Sequence, residues 1–120
     1  MRALVTGQRE WSDRALIRRV LSRLPATGTV VIHGGARGAD RLASSVAREF
    51  GFAELEFRPD WRRFGKAAGV LRNQRMLDIG QPDIVFAFVV ELASSRGTAD
   101  MVQRARKAGV PVEVYDGSEG

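Results

Sequence analysis

Short apolar runs and stretches of helical spacing alternate along this chain without a break in the pattern. Residues 2–6 (RALVT) form the first run, which stops at Gly7. Leu16, Ile17, Val20, Leu21 and Leu24 then recur at steps of three and four. That spacing predicts a helix over 13–24 with Ser12 as its N-cap. The β-branched run 29–33 (TVVIH) predicts a second strand, ended by Gly34 and Gly35. Ala39, Leu42, Ala43, Val46, Ala47 and Phe50 predict a helix over roughly 38–50, closed by Gly51. In 53–57, Ala53, Leu55 and Phe57 alternate with Glu54 and Glu56, which marks a strand with one wet face. The polar stretch 58–66 reads as a loop. A third helix is expected over about 67–79, a buried strand over 83–88 (DIVFAF), a fourth helix over about 97–108 and a last strand over 111–115 (PVEVY). The expected organisation is one domain over 1–116 and a frayed tail over 117–120.

Strict strand–helix alternation predicts a three-layer α/β fold, a five-stranded parallel sheet with helices on both faces. The runs 2–6, 29–33 and 83–88 are largely apolar, as strands buried on both faces are. The runs 53–57 and 111–115 carry glutamate at alternate positions, as edge strands do. Right-handed crossovers then give the order 3-2-1-4-5. A ligand on such a sheet sits beyond the carboxyl ends of the strands, where the order reverses, here between the first and fourth strands. The loops 7–12, 34–38, 58–66 and 89–97 face that point.

Those loops carry the chemistry. In the first, Gly7 permits a sharp turn and Arg9 offers a planar fork to a phosphate. The second, His33-Gly34-Gly35-Ala36-Arg37-Gly38-Ala39-Asp40, opens a helix directly after a buried strand. Backbone N–H groups at such a helix start, unobstructed by side chains, suit an anion. Arg37 adds positive charge there, and Asp40 is placed to accept from a ribose hydroxyl. His33, the only histidine, is a structural residue or a base. In the third loop, Trp61 stands among Arg58, Arg62, Arg63 and Lys66, a combination suited to a base with phosphates. The third helix presents Arg72, Asn73 and Met76 on neighbouring turns. The fourth loop ends in Ser94-Ser95-Arg96-Gly97-Thr98-Ala99-Asp100, a second small-residue turn opening a helix. Ser95, Gly97 and Thr98 there suit a second phosphate or a ribose, with Thr98 also readable as an N-cap.

Composition narrows the partners. The formal charge is +5, and only Lys66 and Lys107 among the nineteen basic residues are not arginine. That balance favours an anionic partner, but the arginines are scattered and form no block or stripe. The chain holds no cysteine, which excludes disulfides, thiolate metal sites and a cysteine nucleophile. It has no apolar run of membrane-spanning length and no signal-peptide pattern, so the expectation is a cytoplasmic protein with no membrane partner. No metal cluster is visible, and the one magnesium arrangement to consider is Asp40, Asp60 and Asp100 meeting around an ion that accompanies a polyphosphate.

As an ordered set, VTGQREW, HGGARGAD, DWRRFGKAAG, RNQRM and SRGTAD resemble the YspA-related branch of the SLOG superfamily over nearly the whole chain. Relatives in that superfamily include the LOG phosphoribohydrolases and the DNA-processing protein DprA. The resemblance implies a Rossmann-like fold, a nucleotide-derived ligand and self-association into a homodimer. It also offers a comparison with LOG enzymes, whose hallmark is P-G-G-x-G-T-x-x-E preceded by an arginine–lysine pair on a helix. Arg72 and Met76 match that helix, and Gly97 and Thr98 match the glycine–threonine pair. Ser94 and Ser95 replace the paired glycines. Met101 occupies the glutamate position, with Asp100 one residue early. One residue of shift turns a helical side chain by about 100°.

Three readings follow. In the first, the chain is a sensor or sequestering module whose Gly34, Gly35, Arg37, Gly38, Ser95, Gly97 and Thr98 hold phosphate beside Arg72. In the second, it is a nucleotide N-glycosidic hydrolase using Asp100 or Asp40, with Arg72 assisting the leaving group. In the third, it binds DNA, as the likeness to DprA implies.

Overall fold

The computed structural model describes residues 1–119, so the last residue of the expected tail lies outside the described residues. The elements run β1 (Arg2–Gly7), α1 (Arg14–Leu21), β2 (Val30–His33), α2 (Ala39–Phe50), β3 (Ala53–Glu56), α3 (Trp61–Phe64), α4 (Ala68–Asp78), β4 (Ile84–Phe88), α5 (Arg96–Lys107) and β5 (Val112–Tyr115). Short 3-10 turns at Gly65–Ala67 and Leu92–Ser94 precede α4 and α5. The strands form one sheet in the order β3-β2-β1-β4-β5, every pair parallel, as expected.

The two-residue period of the strands sorts the core into two layers. Ala3 and Val5 of β1, Val31 of β2, and Phe86 and Phe88 of β4 face Leu16, Ile17, Val20 and Leu21 of α1 and Ala43, Val46 and Ala47 of α2. Leu4, Ile32 and Val85 face the other way, onto Met76 and Leu77 of α4 and Met101 and Ala105 of α5. In register, Leu4 lies between Ile32 and Val85, so β1 is the spine of both layers. Truncating such a residue to alanine costs about 2–5 kcal/mol.

Three local expectations are corrected. Asp13, not Ser12, caps α1: its Oδ1 accepts from the Leu16 N–H at 3.0 Å. The cause lies two residues upstream. Buried Trp11 packs on Phe88 (ring centroids 5.7 Å apart) and donates from Nε1 to the Asp13 carbonyl at 3.1 Å, which sets Asp13 at the helix entry. The same helix stops at Leu21 rather than 24, because Pro25 disfavours helical backbone at the residue before it. The chain exits through 3-10-type bonds from Arg23 to Val20 and Leu24 to Leu21. The stretch 58–66 is also not a plain loop. Asp60 accepts from the Arg63 N–H at 3.1 Å and so nucleates α3.

The glutamates of the edge strands are held rather than free. Glu54 accepts from His33, Ser44 and Arg48. Glu113 accepts from Arg23 and Tyr115. The polar side of β3 is therefore a hydrogen-bonded seam against α2.

The cap assignment predicts that Asp13→Ala lowers unfolding stability by about 1 kcal/mol while Ser12→Ala changes it by a few tenths. Urea denaturation of the two variants checks this, and an equal loss from Ser12→Ala would contradict it.

Candidate functional site

A cleft of about 620 Å³ opens at the carboxyl ends of β1 and β4, the point where the strand order reverses. Its walls are the β1–α1 turn (Gly7 to Glu10), the start of α2 (Ala36, Asp40), one face of α4 (Arg72, Asn73, Met76) and the entry to α5 (Ser94 to Thr98).

The first wall is stitched to the others through Gln8. Its N–H donates to the Phe88 carbonyl at 3.0 Å, and its Oε1 accepts from the Val90 N–H at 2.9 Å. Its carbonyl accepts from the Trp11 and Ala39 N–H groups at 3.2 and 3.4 Å. The approach is close enough to require glycine on both sides. A Cβ on Gly7 would strike the Phe88 carbonyl and the Ala39 methyl. At Gly38, where φ is 82°, it would strike the Gln8 and Arg9 carbonyls. Gln8, Glu10, Val90, Glu91 and Arg96 line the cleft without having been singled out in the sequence. For Gln8 the available signal was its place directly after a central strand.

The glycine turn before α2 is already occupied by its own side chains. Buried Asp40 turns back, and its Oδ2 accepts from Gly34 N–H at 3.0 Å and Ala36 N–H at 3.3 Å. The amide between them, Gly35 N–H, donates to His33 Nδ1 at 3.1 Å. That bond places the imidazole proton on Nε2, which donates to Glu54 Oε1 at 3.1 Å. His33 is thus a buried structural residue on the α2 side of the sheet, outside the cleft lining. Three successive amides expected to face an anion are therefore paired internally. Burial raises the Asp40 pKa, outweighing the Ala36 and Gly34 hydrogen bonds and the nearby Arg72 charge.

Arg72 is the complementary charge. Its Nη1 donates to the carbonyls of Gly34 (3.0 Å) and Phe57 (3.3 Å), and its Nε donates to Asn73 Oδ1 (3.0 Å). All three acceptors are neutral, and the guanidinium makes no ion pair among the described residues. Burial lowers its pKa, Asp40 opposes that, and the like charge of Arg9 adds to it. A Cβ on Gly34 would collide with this guanidinium, so glycine there is what lets Arg72 lie against the turn.

Buried Asn73 carries the arrangement across to α5. Its Nδ2 donates to the Gly97 carbonyl at 3.2 Å and to Asp100 Oδ2 at 3.0 Å. The first turn of α5 has no side-chain cap, because Ser95 Oγ donates to Thr98 Oγ1 at 2.9 Å instead of serving the backbone. A Cβ on Gly97 would meet only open space. The residues of this helix start line the cleft with no side-chain acceptor on their amides, whereas the amides of the turn before α2 are taken by Asp40 and His33.

The structure brings Gly7, Arg9, Asp40, Arg72, Asn73, Ser95, Gly97 and Thr98 to this one cleft. It places Gly34, Gly35, Arg37 and Trp61 in an adjoining depression. Lys66, in the turn before α4, lines neither. Asp100 does not line the cleft: its Oδ2 accepts from Asn73 Nδ2 at 3.0 Å and pairs with Arg104 at 2.9 Å, while Met101 is sealed in the core. Asp40, Asp60 and Asp100 do not converge. Among the described residues, no group of three acidic or histidine side chains is spaced to hold a metal ion. Among the same residues, no helix is long and apolar enough to cross a membrane.

The raised Asp40 pKa has a signed consequence. Between its ordinary value and the raised one the folded state binds more protons than the unfolded, so this group's contribution to stability falls as pH rises through that window. Asp40→Asn keeps an oxygen for Gly34 and Ala36 and removes the charge. Its melting temperature relative to the parent is expected to rise from about pH 4 to pH 7. A fall over that range would contradict the burial argument.

Comparison with known proteins places this geometry in a family. Residues 1–64 match the family model YAcAr, described as the YspA, cpYpsA-related SLOG family. The Gene 61 protein of Mycobacterium phage D29 is 46% identical over 121 residues, covering 92% of this chain and 93% of that protein. Among solved structures, DNA processing protein A (DprA) from Streptococcus pneumoniae aligns with TM-score 0.77 at 19% identity, over 98% of this chain. The chain spans 50% of the length of that DprA chain. A structural-genomics protein designated TM1055 aligns with TM-score 0.63 at 21% identity, over 92% of this chain and 71% of its own. These two likenesses concern the fold. The family match and the phage relative together show that this chain belongs to the YspA, cpYpsA-related SLOG family.

Proposed function

We propose that the chain binds a nucleotide-derived ligand in the cleft between β1 and β4 and serves as a sensor or sequestering module. The observation that carries this reading is Arg72, a half-buried guanidinium held by neutral acceptors only and bordering the same cleft as the uncapped start of α5. Asp40 acts on this cation only through space, so a partly desolvated guanidinium with no hydrogen-bonded counter-ion gains from an incoming anion. A phosphate between Arg72, Arg9 and the amides at Arg96 to Thr98 supplies that anion and completes the first turn of α5. On this reading the phosphate sits at the α5 turn rather than at the turn before α2, whose Gly34 and Ala36 amides Asp40 already occupies. Ser95 and Thr98 hydroxyls beside it suit a ribose or a second phosphate oxygen.

A hydrolytic reading retains one specific support. With Asp100 outside the cleft lining, Asp40 is the carboxyl group on the buried wall of the cleft, and its raised pKa suits a general acid. Binding is favoured over turnover because Oδ2 of that carboxyl is committed to the Gly34 and Ala36 amides. The name of the structural neighbour, DNA processing protein A, suggests nucleic acid as a further partner, on likeness of fold alone.

Calorimetric titration with AMP tests the proposal. Arg72→Ala is expected to weaken binding about tenfold or more, with Arg72→Lys intermediate because a lysine lacks the planar fork. Chromatography of the mixture is expected to recover intact AMP. Unchanged affinity in a folded Arg72→Ala protein would overturn the binding reading, and released adenine that disappears with Asp40→Asn would replace it with the hydrolytic one.

A further inference from the structure

Beyond Arg72 lies a second depression, also of about 620 Å³. Arg9, Ala36 and Arg72 line both hollows, so the two share one ridge. The second differs in chemistry from the first. Arg9, Arg37, Arg41, Arg58 and Arg72 line it, and no carboxylate does among the described residues. Only Arg58 of these five is neutralised, by Glu56. The other four make no ion pair among the described residues. Elsewhere Arg14, Arg18, Arg23, Arg48 and Arg104 are paired with a carboxylate, while others, such as Arg19, Arg62 and Arg75, make no ion pair among the described residues. Four guanidiniums without an ion pair therefore share one hollow that no carboxylate lines among the described residues.

Trp61 stands at the same depression with 53% of its surface exposed. A short capped helix, α3, holds it there, and its ring leans toward Gly69 at the start of α4. An exposed indole beside unneutralised guanidiniums recognises a flat π-system that carries negative charge.

The length of that ligand is bounded by acids. Glu10 and Glu91 stand on the wall of the first cleft, and Glu56 closes off Arg58 beyond the second. A continuing phosphate backbone meets carboxylates in both directions, whereas a ligand that ends within the two hollows does not. Resting on the reading of the first cleft given above, we propose that the ligand is a dinucleotide. One nucleotide occupies the cleft between β1 and β4, the phosphates cross the ridge at Arg9 and Arg72 toward Arg37 and Arg41, and the second base stacks on Trp61.

The test is calorimetric titration of AMP, ATP and diadenosine tetraphosphate at one ionic strength. The proteins are the parent, Trp61→Ala and the Arg37→Ala/Arg41→Ala double variant, all altered at exposed positions. Diadenosine tetraphosphate is expected to bind the parent about tenfold more tightly than either AMP or ATP, ATP controlling for charge. Trp61→Ala is expected to abolish that advantage while leaving AMP affinity within about twofold. The double variant is expected to weaken ATP and diadenosine tetraphosphate more than AMP. The proposal is overturned if the dinucleotide has no advantage, if Trp61→Ala weakens all three ligands equally, or if a ten-nucleotide deoxythymidine strand binds more tightly than the dinucleotide. AMP binding without a dinucleotide advantage removes this extension only. No binding of any of the three nucleotides removes the reading of the first cleft with it.

Discussion

The Asp40 carboxyl group is the contact on which the site depends. By accepting from Gly34 and Ala36 it folds the glycine turn back on itself, with His33 holding the amide between them. The turned loop presents the Gly34 carbonyl to Arg72, and the absence of a side chain at Gly34 lets the guanidinium approach. Arg72 then engages Asn73, whose amide reaches the first turn of α5. One chain of hydrogen bonds therefore couples β2, α2, α4 and α5 around the point where the sheet reverses. Removing an internal acceptor from such a buried set leaves amides without partners, at about 1–3 kcal/mol each.

This arrangement divides labour between two helix starts that look alike on paper. Both follow central strands and both contain glycine. At α2 the protein supplies its own anion, so the turn serves as architecture. At α5 the Ser95 and Thr98 hydroxyls satisfy each other and leave the backbone amides without a side-chain cap. The positive end of a twelve-residue helix and the Arg72 guanidinium then border one cleft, with no carboxylate hydrogen-bonded to the guanidinium or capping the helix among the described residues. The fold positions both because β1 and β4 pair while their crossovers lie on opposite faces of the sheet.

Sheet order and the loops around the cleft were legible in the sequence, because apolar runs, glutamate alternation and strand ends are local signals with fixed geometric consequences. The finer assignments depended on contacts made across the fold. Asp13 outranks Ser12 as a cap only because Trp11 is anchored on Phe88. Asp40 reads from the sequence as a ribose ligand, and its return to the preceding turn is a loop conformation that spacing does not encode. The rotation separating Asp100 from Met101 was visible as helical phase, and the structure gives its outcome. Met101 faces the core, and Asp100 lies beside Arg104 one turn later. Gln8 escaped notice because its role lies in reaching Val90 across the sheet end.

The central claim is that an incoming phosphate engages the α5 start and not the α2 turn. Amide-resolved NMR during titration with AMP tests it most directly. The largest shifts are predicted at Arg96, Gly97 and Thr98 and at the Arg72 side chain, with Gly34, Gly35 and Ala36 nearly unmoved because their amides keep Asp40 and His33 as partners. Shifts concentrated on Gly34 to Ala36, with Arg96 to Thr98 silent, would contradict the account.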